Sequence, residues 1–403
     1  MTEPEHVVVV GASAAGLATV EGLRRLGFAG RLTLIGEEAD APYDRPPLSK
    51  QLLSGAWEPE RLVLRPPKTL AALDLDLRLG ERAVALDTAR RQIVLAGGER
   101  VGYGQAVVAT GTRARRLPGA GECEGVYVLR TLRDALDLRA ELGPGRRLLV
   151  VGGGFIGAEA AAVAGQLGCE VTLVTDTAVP MGEALGAEVG GMLAVVHAEH
   201  GVRLEPDSLV EAVVAPDGRA QGVRLADGRT LEADALLVGI GARPNVEWLA
   251  DSGVPVGDGV ECDATLYAGN GVWAAGDVAS WPDEATGQRL RVEHRTNAGE
   301  QGLAVARNIL AGHDAALPFS TVPYVWSDQY DLKIQIYGQT RGADEFLLVD
   351  GDLSECRFTA LYGAKGQVCA ALGVNMARPL RALRPLVVAR TPWADVRSAL
   401  PAG

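Results

Sequence analysis

Two glycine-rich turns carry the residue types and spacing that point most directly to chemistry. Residues 11–16 read GASAAG and residues 152–157 read GGGFIG. In a dinucleotide-binding turn, the first glycine closes the turn, the second lets the backbone approach a pyrophosphate, and the third lets helix and strand pack closely. The second copy has all three glycines, whereas a serine takes the middle place in the first. The candidate phosphate-binding residues are Gly11, Ser13 and Gly16 in the first turn and Gly152, Gly154 and Gly157 in the second.

An acidic residue follows each turn at about the 20-residue distance at which dinucleotide sites bind a ribose hydroxyl. Glu37 takes this place in the first copy and Asp176 in the second. The second strand is expected to end at Thr175, however, which leaves Asp176 displaced by one residue. No arginine in the sequence lies beside Asp176 to receive a 2′-phosphate, which favours NADH over NADPH. Two such sites predict two nucleotides, most simply a tightly held, non-covalent FAD and a diffusing NADH.

The elements that must position these turns repeat along the chain. Residues 7–37 and 148–176 each read as an apolar run, a glycine turn, an alanine- or leucine-rich helical stretch and a second apolar run. This order is typical of a β–α–β unit, so we expect an α/β fold with two Rossmann-like (doubly wound) nucleotide-binding domains. Beyond about residue 316, strands and turns predict a C-terminal α+β domain. The expected limits are 1–111 with 240–315 for a discontinuous FAD-binding domain, 112–239 for an NAD-binding domain and 316–403 for the C-terminal domain.

Composition excludes several classes of protein. Of 403 residues, 47% are hydrophobic and 22% charged, which is typical of a globular chain. The net charge of −12 makes a generic nucleic-acid binder a poor hypothesis. No apolar run approaches the ~20 residues of a membrane span and no secretory signal is visible, so we expect a cytoplasmic protein. The five cysteines are scattered without CxxC or zinc-ligand spacing, which predicts reduced thiols and no metal site.

Residues 42–50 read PYDRPPLSK and resemble the flavin loop of the NADH-dependent ferredoxin reductases that serve bacterial cytochromes P450 and ring-hydroxylating dioxygenases, the putidaredoxin reductase-like family. The resemblance covers nearly the whole chain, and its motifs agree in order and spacing. It implies a glutathione-reductase-like superfold. The other matching motifs are ATG at 109–111, LRT at 129–131, GIGARPN at 239–245, AGDV at 275–278, NA at 297–298 and WSDQY at 326–330.

The resemblance implies a set of cofactor contacts. Glu37 is similar to the residue that binds the adenosine ribose of FAD, and Asp277 to the one that binds the ribityl chain. Arg295 matches a position whose backbone meets the flavin ring and where many relatives carry tryptophan. The further contacts that the matching motifs imply are Ala15, Ala83, Thr110, Gly111, Arg130 and Gly241.

The resemblance also implies a hydride-transfer site. Lys50 resembles a lysine beside flavin N5, and Glu159 matches the acid paired with it in the nicotinamide site. Trp326 matches an aromatic residue at the flavin edge, on the side where the iron–sulfur partner docks. Reduced flavin carries negative charge near N1, so a nearby cation suits the reaction, and a carboxylate partner lowers the cost of burying that cation. These three residues are the predicted catalytic set.

Absent cysteines distinguish between relatives. Residues 37–70 contain no cysteine, which excludes the dithiol mechanism of disulfide reductases. The chain has no cysteine quartet for an iron–sulfur cluster, so the one-electron carrier must be a separate protein. The predicted function is electron transfer from NADH through FAD to a [2Fe-2S] ferredoxin, by a monomer or weak dimer. Two alternatives stay open: an NADH oxidase or small-acceptor reductase, and a redox-regulated flavoprotein resembling apoptosis-inducing factor.

Docking of a ferredoxin poses an electrostatic question, because this chain and ferredoxins of that type are both acidic. Productive encounter then needs a local basic surface, which we expect beside Trp326. Two stretches are candidates for it. They contribute Arg289, Arg291 and Arg295 before the NA motif, and Arg378, Arg381 and Arg384 in the C-terminal part.

Overall fold

The structure of the protein is a computed structural model that describes residues 5–120, 123–284 and 287–400. The chain forms two compact units, and it passes from one to the other five times. Unit 1 contains the residues up to 44, together with 60–113 and 243–321. Unit 2 contains 45–59, 114–242 and the residues from 322 onward.

The stretch up to residue 114 holds the first glycine turn. Its helices are α1 (Ala14–Arg25) and α2 (Pro67–Ala71), with 3-10 turns at Pro46–Ser49 and Pro59–Leu62. Its strands are β1 (His6–Val10), β2 (Arg31–Gly36), β3 (Asp76–Leu79), β4 (Ala83–Asp87), β5 (Gln92–Leu95), β6 (Arg100–Gly102), β7 (Gln105–Val108) and β8 (Thr112–Ala114).

The stretch from 115 to 244 holds the second glycine turn. Its helices are α3 (Leu132–Arg139), α4 (Phe155–Gln166) and α5 (Gly182–Glu199). Its strands are β9 (Val126–Tyr127), β10 (Arg147–Val151), β11 (Glu170–Val174), β12 (Arg203–Glu205), β13 (Val210–Val214), β14 (Gly222–Leu225), β15 (Thr230–Glu232), β16 (Ala235–Val238) and β17 (Ala242–Pro244).

The next stretch returns the chain to unit 1. It forms the long helix α6 (Arg295–Ala311), with 3-10 turns at Glu247–Leu249 and His313–Ala315. Its strands are β18 (Val256–Gly257), β19 (Gly259–Glu261), β20 (Tyr267–Gly269), β21 (Val272–Ala274), β22 (Ala279–Asp283) and β23 (Gln288–Leu290).

The last stretch completes unit 2. Its helices are α7 (Ala377–Val388) and α8 (Val396–Ala399), with a 3-10 turn at Trp393–Asp395. Its strands are β24 (Tyr324–Gln329), β25 (Leu332–Gly338), β26 (Glu345–Asp352), β27 (Arg357–Ala364) and β28 (Gln367–Val374).

The centre of unit 1 is a six-stranded sheet in the order β20-β21-β7-β1-β2-β3. Strands β21, β7, β1, β2 and β3 run parallel, as a β–α–β sequence requires. Strand β1 reads VVVV from position 7 and is buried on both faces, because the sheet is covered on both sides. Helix α1 packs closely on α6: a Cβ added to Gly302 would lie 2.9 Å from Ala18 Cβ.

Unit 2 contains a parallel sheet in the order β12-β11-β10-β16-β9 and an antiparallel sheet in the order β24-β25-β28-β27-β26. Helix α4 follows β10, and its residues from Gly157 to Ala164 are all buried. Helix α7 lays its apolar face on the antiparallel sheet, so the alternating β-pattern near the C-terminus builds an α+β layer. The two parallel sheets and this layer confirm the predicted fold class.

The compact units differ in outline from the domain limits drawn from the sequence. Residues 45–59 belong to unit 2, although the sequence places them in the FAD-binding part. The residues from 322 onward share a unit with 114–242. Assignment of these parts to FAD and to NAD stays a prediction. In the part of the chain that the structure describes, no helix has the length and apolar character needed to cross a bilayer.

Candidate functional site

Both glycine turns close on the neighbouring strand with the same hydrogen bond. The Gly11 N–H donates to the carbonyl of Ile35, and the Gly152 N–H to that of Val174, each at 2.8 Å. Gly11 and Gly152 have φ values of +118° and +107°, which side chains rarely adopt. The two turns are therefore the same backbone structure, built twice.

The helices that follow begin with an open N-terminus. Ser13 and Gly154 are the N-cap residues, and the Ser13 hydroxyl makes no capping hydrogen bond. A Cβ added to Gly154 would meet no described atom within 4 Å, whereas a Cβ on Gly16 or Gly157 would lie 1.9 Å from a backbone carbonyl oxygen. Open space before unengaged N–H groups at the positive end of a helix suits an anionic pyrophosphate. The residues present thus fit a dinucleotide at each turn.

The strand register settles which acid follows the second turn. Ile35 and Val174 accept equivalent hydrogen bonds, so Glu37 and Asp176, each two residues further, are equivalent as well. Strand β11 ends at Val174, which corrects the expected strand end at Thr175. Thr175 is buried, whereas Glu37 and Asp176 are both exposed beside their turns. Asp176 is therefore the counterpart of Glu37 and is not displaced.

The ATG motif at residues 109–111 packs against the first glycine turn in unit 1. A Cβ on Gly11 would lie 2.0 Å from the carbonyl oxygen of Ala109. The hydroxyl of Thr110 donates to the carbonyl of Asn245 at 2.8 Å, and the Asn245 amide donates back to the Thr110 carbonyl at 2.9 Å. The Asn245 N–H also donates to the carbonyl of Gly111 at 2.9 Å. This reciprocal bonding fixes Thr110 and Gly111 beside the turn.

The AGDV motif reaches the same place from strand β21. Gly276 has a φ of +83°, and a Cβ there would lie 2.9 Å from the Cβ of Ala15. Its N–H donates to Gln301 Oε1 at 2.7 Å, which ties the motif to α6. Asp277 follows at once. Burial lowers the pKa of the neighbouring His294 imidazole, and the Asp277 charge opposes this shift.

Two other predicted FAD contacts, Glu37 and Ala83, are brought together at the end of β2. The Glu81 N–H donates to the carbonyl of Gly36 at 2.9 Å, which places the start of β4 beside Glu37. Arg82 Nε lies 3.7 Å from Glu37 Oε1 in an exposed ion pair. Exposed pairs of this kind contribute little to stability, so the Glu37 carboxylate stays available to a ligand.

Arg295 opens helix α6 at the expected position in unit 1. Its guanidinium forms an ion pair with the carboxylate of Asp44. The positive charge of Arg295 is thus paired with an acid of the flavin-loop motif. The backbone of residue 295 remains the predicted contact.

Unit 2 contains a buried ion pair. Lys50 Nζ lies 2.8 Å from Glu159 Oε2, and the two side chains are 9% and 4% exposed. Lys50 follows the 3-10 turn at Pro46–Ser49, which proline initiates, and Glu159 lies in the buried stretch of α4. A carboxylate among alanines and glycines is the sequence signal for this site, because nothing in helix packing calls for it.

Two serine hydroxyls contact Glu159, and a glutamine amide lies behind one of them; none of the three was predicted as a site residue. The hydroxyl of Ser49 donates to Glu159 Oε2, and that of Ser327 donates to Oε1 at 2.7 Å. Gln329 Nε2 lies 3.3 Å from the Ser327 hydroxyl. Ser327 and Gln329 alternate along β24 on its buried face, and that period of two was the available signal.

Arg130 and Gly241 also lie in unit 2. Arg130 precedes the N-cap of α3, where Thr131 and Asp134 form a capping box. Its carbonyl accepts a hydrogen bond of 2.6 Å from Arg45 of the flavin-loop motif. Gly241 has a φ of +88°, and a Cβ there would meet no described atom within 4 Å. Both residues lie between regular elements, Arg130 between β9 and α3 and Gly241 between β16 and β17.

Trp326 begins a row of aromatic rings on unit 2. Its ring stacks on Tyr324 at 5.9 Å, and Tyr324 lies 5.0 Å from Tyr337. The Arg384 guanidinium lies 5.7 Å from the centre of the Tyr337 ring. Arg381, one turn earlier on the same helix, is exposed to solvent. We call these five residues the aromatic–arginine face.

The other candidate stretch of arginines makes internal contacts within unit 1. Arg289 donates to the carbonyls of Cys262 at 3.0 Å and Ser280 at 2.7 Å. Arg291 is paired with Asp258 at 3.0 Å and Glu293 at 2.6 Å. Arg291 is therefore largely buried in ion pairs, whereas Arg289 is exposed and keeps its positive charge; that this stretch is a docking surface stays a prediction.

Neither a metal nor a disulfide is indicated in the described residues. They contain no cluster of three His, Cys, Asp or Glu side chains that could hold an ion. All five cysteines are free thiols. Burial raises the pKa of Cys262 to about 12 and that of Cys369 to about 11, so neither is a reactive thiolate.

Comparison with known proteins agrees with this geometry. Residues 5–302 match the family described as pyridine nucleotide-disulphide oxidoreductase, and residues 324–402 match the reductase C-terminal domain. Rhodocoxin reductase of Rhodococcus erythropolis is 34% identical over 98% of this chain and 92% of its own. The 5,5'-dehydrodivanillate O-demethylase ferredoxin reductase subunit of a Sphingobium species is 38% identical over 94% of this chain and 92% of its own.

Among solved structures, the covalent putidaredoxin reductase–putidaredoxin complex contains a chain that matches this one with a TM-score of 0.92. The two are 30% identical, and each is covered over 100% of its length. The chain belongs to the pyridine nucleotide-disulphide oxidoreductase family, within its ferredoxin reductases. The resemblance drawn from residues 42–50 is thereby confirmed.

Proposed function

We propose that this protein is an FAD-dependent NADH:ferredoxin oxidoreductase that supplies a [2Fe-2S] ferredoxin of an oxygenase system. The observation that carries the proposal is the buried ion pair of Lys50 with Glu159, in a chain with two dinucleotide turns. A buried ion pair contributes little net stability compared with apolar residues of similar size, so its presence calls for a functional reason. FAD, when bound, accepts a hydride from NADH and releases the electrons one at a time.

The two turns divide the nucleotides between them in this proposal. The first turn and Glu37 hold the pyrophosphate and adenosine ribose of FAD, and the second turn with Asp176 holds NADH. Asp176 selects NADH because its carboxylate repels a 2′-phosphate. The remaining proposed FAD contacts are Ala15, Ala83, Thr110, Gly111, Arg130, Gly241, Asp277 and the backbone of Arg295.

Lys50 and Glu159 form the proposed hydride-transfer site. Lys50 presents a fixed positive charge where negative charge develops on reduction. Glu159 holds the ammonium at 2.8 Å and keeps it from acting as a free nucleophile. Ser49 and Ser327 occupy lone pairs of both carboxylate oxygens, so the carboxylate has one orientation. The pair is thus preorganised before any nucleotide arrives.

The aromatic–arginine face is the proposed docking site of the ferredoxin. Its rings run from Trp326, which matches an aromatic residue on the side where the iron–sulfur partner docks, through Tyr324 and Tyr337 to Arg384 on α7. Arg381 lies one turn from Arg384 on the same helix. Aromatic residues and arginine are the types that dominate the centres of protein interfaces. The local positive charge would steer an acidic ferredoxin to a chain whose overall charge is −12.

One experiment tests the function as a whole. The purified protein is examined for flavin absorbance, for bleaching by NADH, and for NADH-dependent reduction of [2Fe-2S] ferredoxins. We expect flavin to be bound as isolated, with bleaching by NADH and electron transfer to at least one acidic ferredoxin. Lys50→Met should slow bleaching by at least tenfold, whereas Lys68→Met, on an exposed helix of unit 1, should not. A protein without flavin absorbance that does not recover it on adding FAD would falsify the proposal.

A second experiment tests the docking face. Charge reversal at Arg381 and Arg384 should slow ferredoxin reduction several-fold at low salt and leave NADH–ferricyanide turnover unchanged, because ferricyanide needs no docked interface. The difference should shrink as the screening length shortens from ~10 Å at 0.1 M salt to ~3 Å at 1 M. Arg397→Glu is the matched control, an exposed arginine of the same unit outside the face. If both activities fall together, the arginines support the protein rather than the partner.

We also propose a cytoplasmic location and a monomeric or weakly dimeric state. Five free thiols suit a reducing compartment, and NADH is supplied there. Fractionation of cells and sedimentation of the purified protein test these two statements.

A further inference from the structure

A line of buried polar side chains extends from Glu159 through the interior of unit 2. It includes Ser327, Gln329 and His197, ends at the half-buried Tyr330, and joins strand β24 to helices α4 and α5. Ser327 and His197 have no exposed surface, and Gln329 is 1% exposed. Buried polar groups are costly unless they are hydrogen-bonded, so a line of them needs a reason.

His197 fixes the direction of hydrogen bonding along this line. Burial lowers the pKa of its imidazole to about 4, so the ring is neutral near pH 7, with one N–H donor and one acceptor nitrogen. Its Nδ1 lies 2.9 Å from the hydroxyl of Tyr330. Its Nε2 and the Oε1 atom of Gln329 are both buried, and neither has a hydrogen-bond partner among the described residues.

These two unpartnered atoms complement each other only in one arrangement. If Nε2 carries the proton, it is a donor that complements the Gln329 amide oxygen, and Nδ1 accepts from the Tyr330 hydroxyl. The interaction of Gln329 with the His197 ring acts against burial by favouring a proton on it, as an amide oxygen would. The opposite tautomer would set an acceptor nitrogen against an acceptor oxygen.

The same direction continues to Glu159. The Gln329 amide nitrogen lies 3.3 Å from the Ser327 hydroxyl oxygen and 3.1 Å from the sulfur of Met181, both acceptors. The Ser327 hydroxyl then donates to Glu159 Oε1 at 2.7 Å. With the His197 proton on Nε2, each group from Tyr330 onward directs one donor toward the carboxylate, while the second N–H of Gln329 goes to Met181. Aligned hydrogen bonds of this kind strengthen one another.

We propose that Ser327, Gln329 and His197 are positioning residues that orient the Glu159 carboxylate and, through it, the Lys50 ammonium for hydride transfer. The inference rests on the proposed function, since it concerns the same ion pair. None of the three is a catalytic residue, because each acts through Glu159. Their effect lies on the rate of hydride transfer rather than on the binding of NADH.

The first arm of the test measures flavin reduction by NADH in rapid-mixing experiments on the FAD-bound protein. Ser327→Ala should slow reduction at saturating NADH about tenfold, with the dissociation constant of NADH changed less than twofold. Ser327→Thr restores the hydroxyl and should recover most of the rate. Ser208→Ala is the matched control, since this serine is buried in the same unit and its hydroxyl bonds to the Pro206 carbonyl at 2.9 Å and to Arg229 at 3.4 Å rather than to Glu159.

The second arm reads the hydrogen-bond direction without any turnover. Protein labelled with ¹⁵N in histidine should show His197 neutral at pH 7 with the proton on Nε2, with and without FAD. Gln329→Met removes the amide acceptor and should abolish this tautomer preference, and it should slow flavin reduction about threefold. His200, which stacks on Tyr330 at 3.8 Å, serves as an exposed internal reference.

The outcomes separate the two proposals. An unaltered protein whose flavin NADH fails to reduce overturns the proposed function, and the role of the line with it. Normal reduction with an unchanged rate in Ser327→Ala overturns the positioning role alone. A His197 proton found on Nδ1 overturns the direction of the line, and a loss confined to NADH affinity shows that these residues shape the binding site instead.

Discussion

The two β–α–β turns have matching backbones, but they fill the space behind the turn differently. In unit 1, a Cβ on Gly36 would lie 2.7 Å from the Cβ of Ala12. In unit 2, Gly153 takes the place of Ala12 and Thr175 takes the place of Gly36, so the small and the large residue are exchanged. A Cβ on Gly153 would lie 2.9 Å from Thr175 Oγ1. Each copy has room for one side chain at this contact. In unit 1 that side chain is Ala12 of the turn, and in unit 2 it is Thr175, which follows the strand.

The helices that follow the turns differ more consequentially. Ala18 of α1 and Glu159 of α4 occupy the same position relative to their glycine turns. Ala18 is packed against Gly302 of α6, where a longer side chain has no room. Glu159 instead meets Ser327 and Lys50. The glycine pattern therefore specifies where a nucleotide binds, whereas the element packed on the helix decides whether that helix also carries chemistry.

The third glycine of each turn gives the largest expected effect. A Cβ in Gly16→Ala or Gly157→Ala would lie 1.9 Å from a backbone carbonyl, so we expect a loss of at least about 4 kcal/mol in the unit concerned. Gly16→Ala should yield protein without FAD, and Gly157→Ala should keep FAD and lose NADH binding. Flavin content and NADH titration measure the two. Equal loss of FAD from both variants would contradict the division of nucleotides between the turns.

Variants of the Lys50–Glu159 pair test whether α4, unlike α1, contributes to catalysis. Glu159→Ala leaves a buried ammonium without its carboxylate, and we expect unit 2 to lose about 3 kcal/mol in urea denaturation. The double variant with Lys50→Met should recover most of that stability and none of the rate of flavin reduction by NADH. Recovery of both would mean that the pair is structural. Lys50→Met alone is the remaining variant that this double-mutant cycle requires.

The reversed contact behind the turn gives a smaller effect. Gly153→Ala pushes against Thr175, and we expect a loss of about 1–2 kcal/mol. Combining it with Thr175→Gly recreates the arrangement of Ala12 with Gly36. The losses should then be non-additive by about 1 kcal/mol in a double-mutant cycle. Additive losses would show that the two positions do not share one space.

The smallest expected effect concerns the acids beyond the turns. Asp176→Ala should narrow the ratio of kcat/KM for NADH over NADPH about tenfold, or roughly 1.4 kcal/mol, because a repelling charge is removed. Glu37→Ala is the matched change in unit 1, and it should weaken FAD retention without altering that ratio. An unchanged ratio in Asp176→Ala would show that Thr175 or the backbone, rather than Asp176, discriminates between NADH and NADPH.

Much of the fold followed from patterns within short stretches. Apolar runs around a glycine turn predicted both parallel sheets, because strand, turn and helix are specified by neighbouring residues. The end of β11 was misplaced by one residue, since it depends on a backbone bond from Gly152 to Val174 rather than on side-chain type. The contacts of Arg289 could not be predicted for a similar reason: its acceptors are the carbonyls of Cys262 and Ser280, and a sequence pattern does not indicate backbone acceptors.

The residues of the candidate site differ in how far the sequence predicts them. The resemblance indicated Lys50 and Glu159, but spacing alone could not pair residues 109 positions apart. Ser327 and Gln329 stood in a recognised motif, yet their role depends on which face of β24 meets α4. His197 had no signal at all, because a lone histidine in an apolar helix is an ordinary core residue until its neighbours are known.

The alternation of the chain between the two units has a consequence for synthesis. At ~5–20 residues per second, Glu159 leaves the ribosome roughly 5–20 seconds after Lys50, so the lysine waits without its carboxylate. Strand β7 waits about half as long again for β21, which is made only after the whole of 114–242. During that interval a valine-rich strand edge has no neighbour on one side, and such edges pair readily with other chains. Slower translation or a shortage of chaperones should therefore lower the yield of this protein more than that of one whose domains are contiguous.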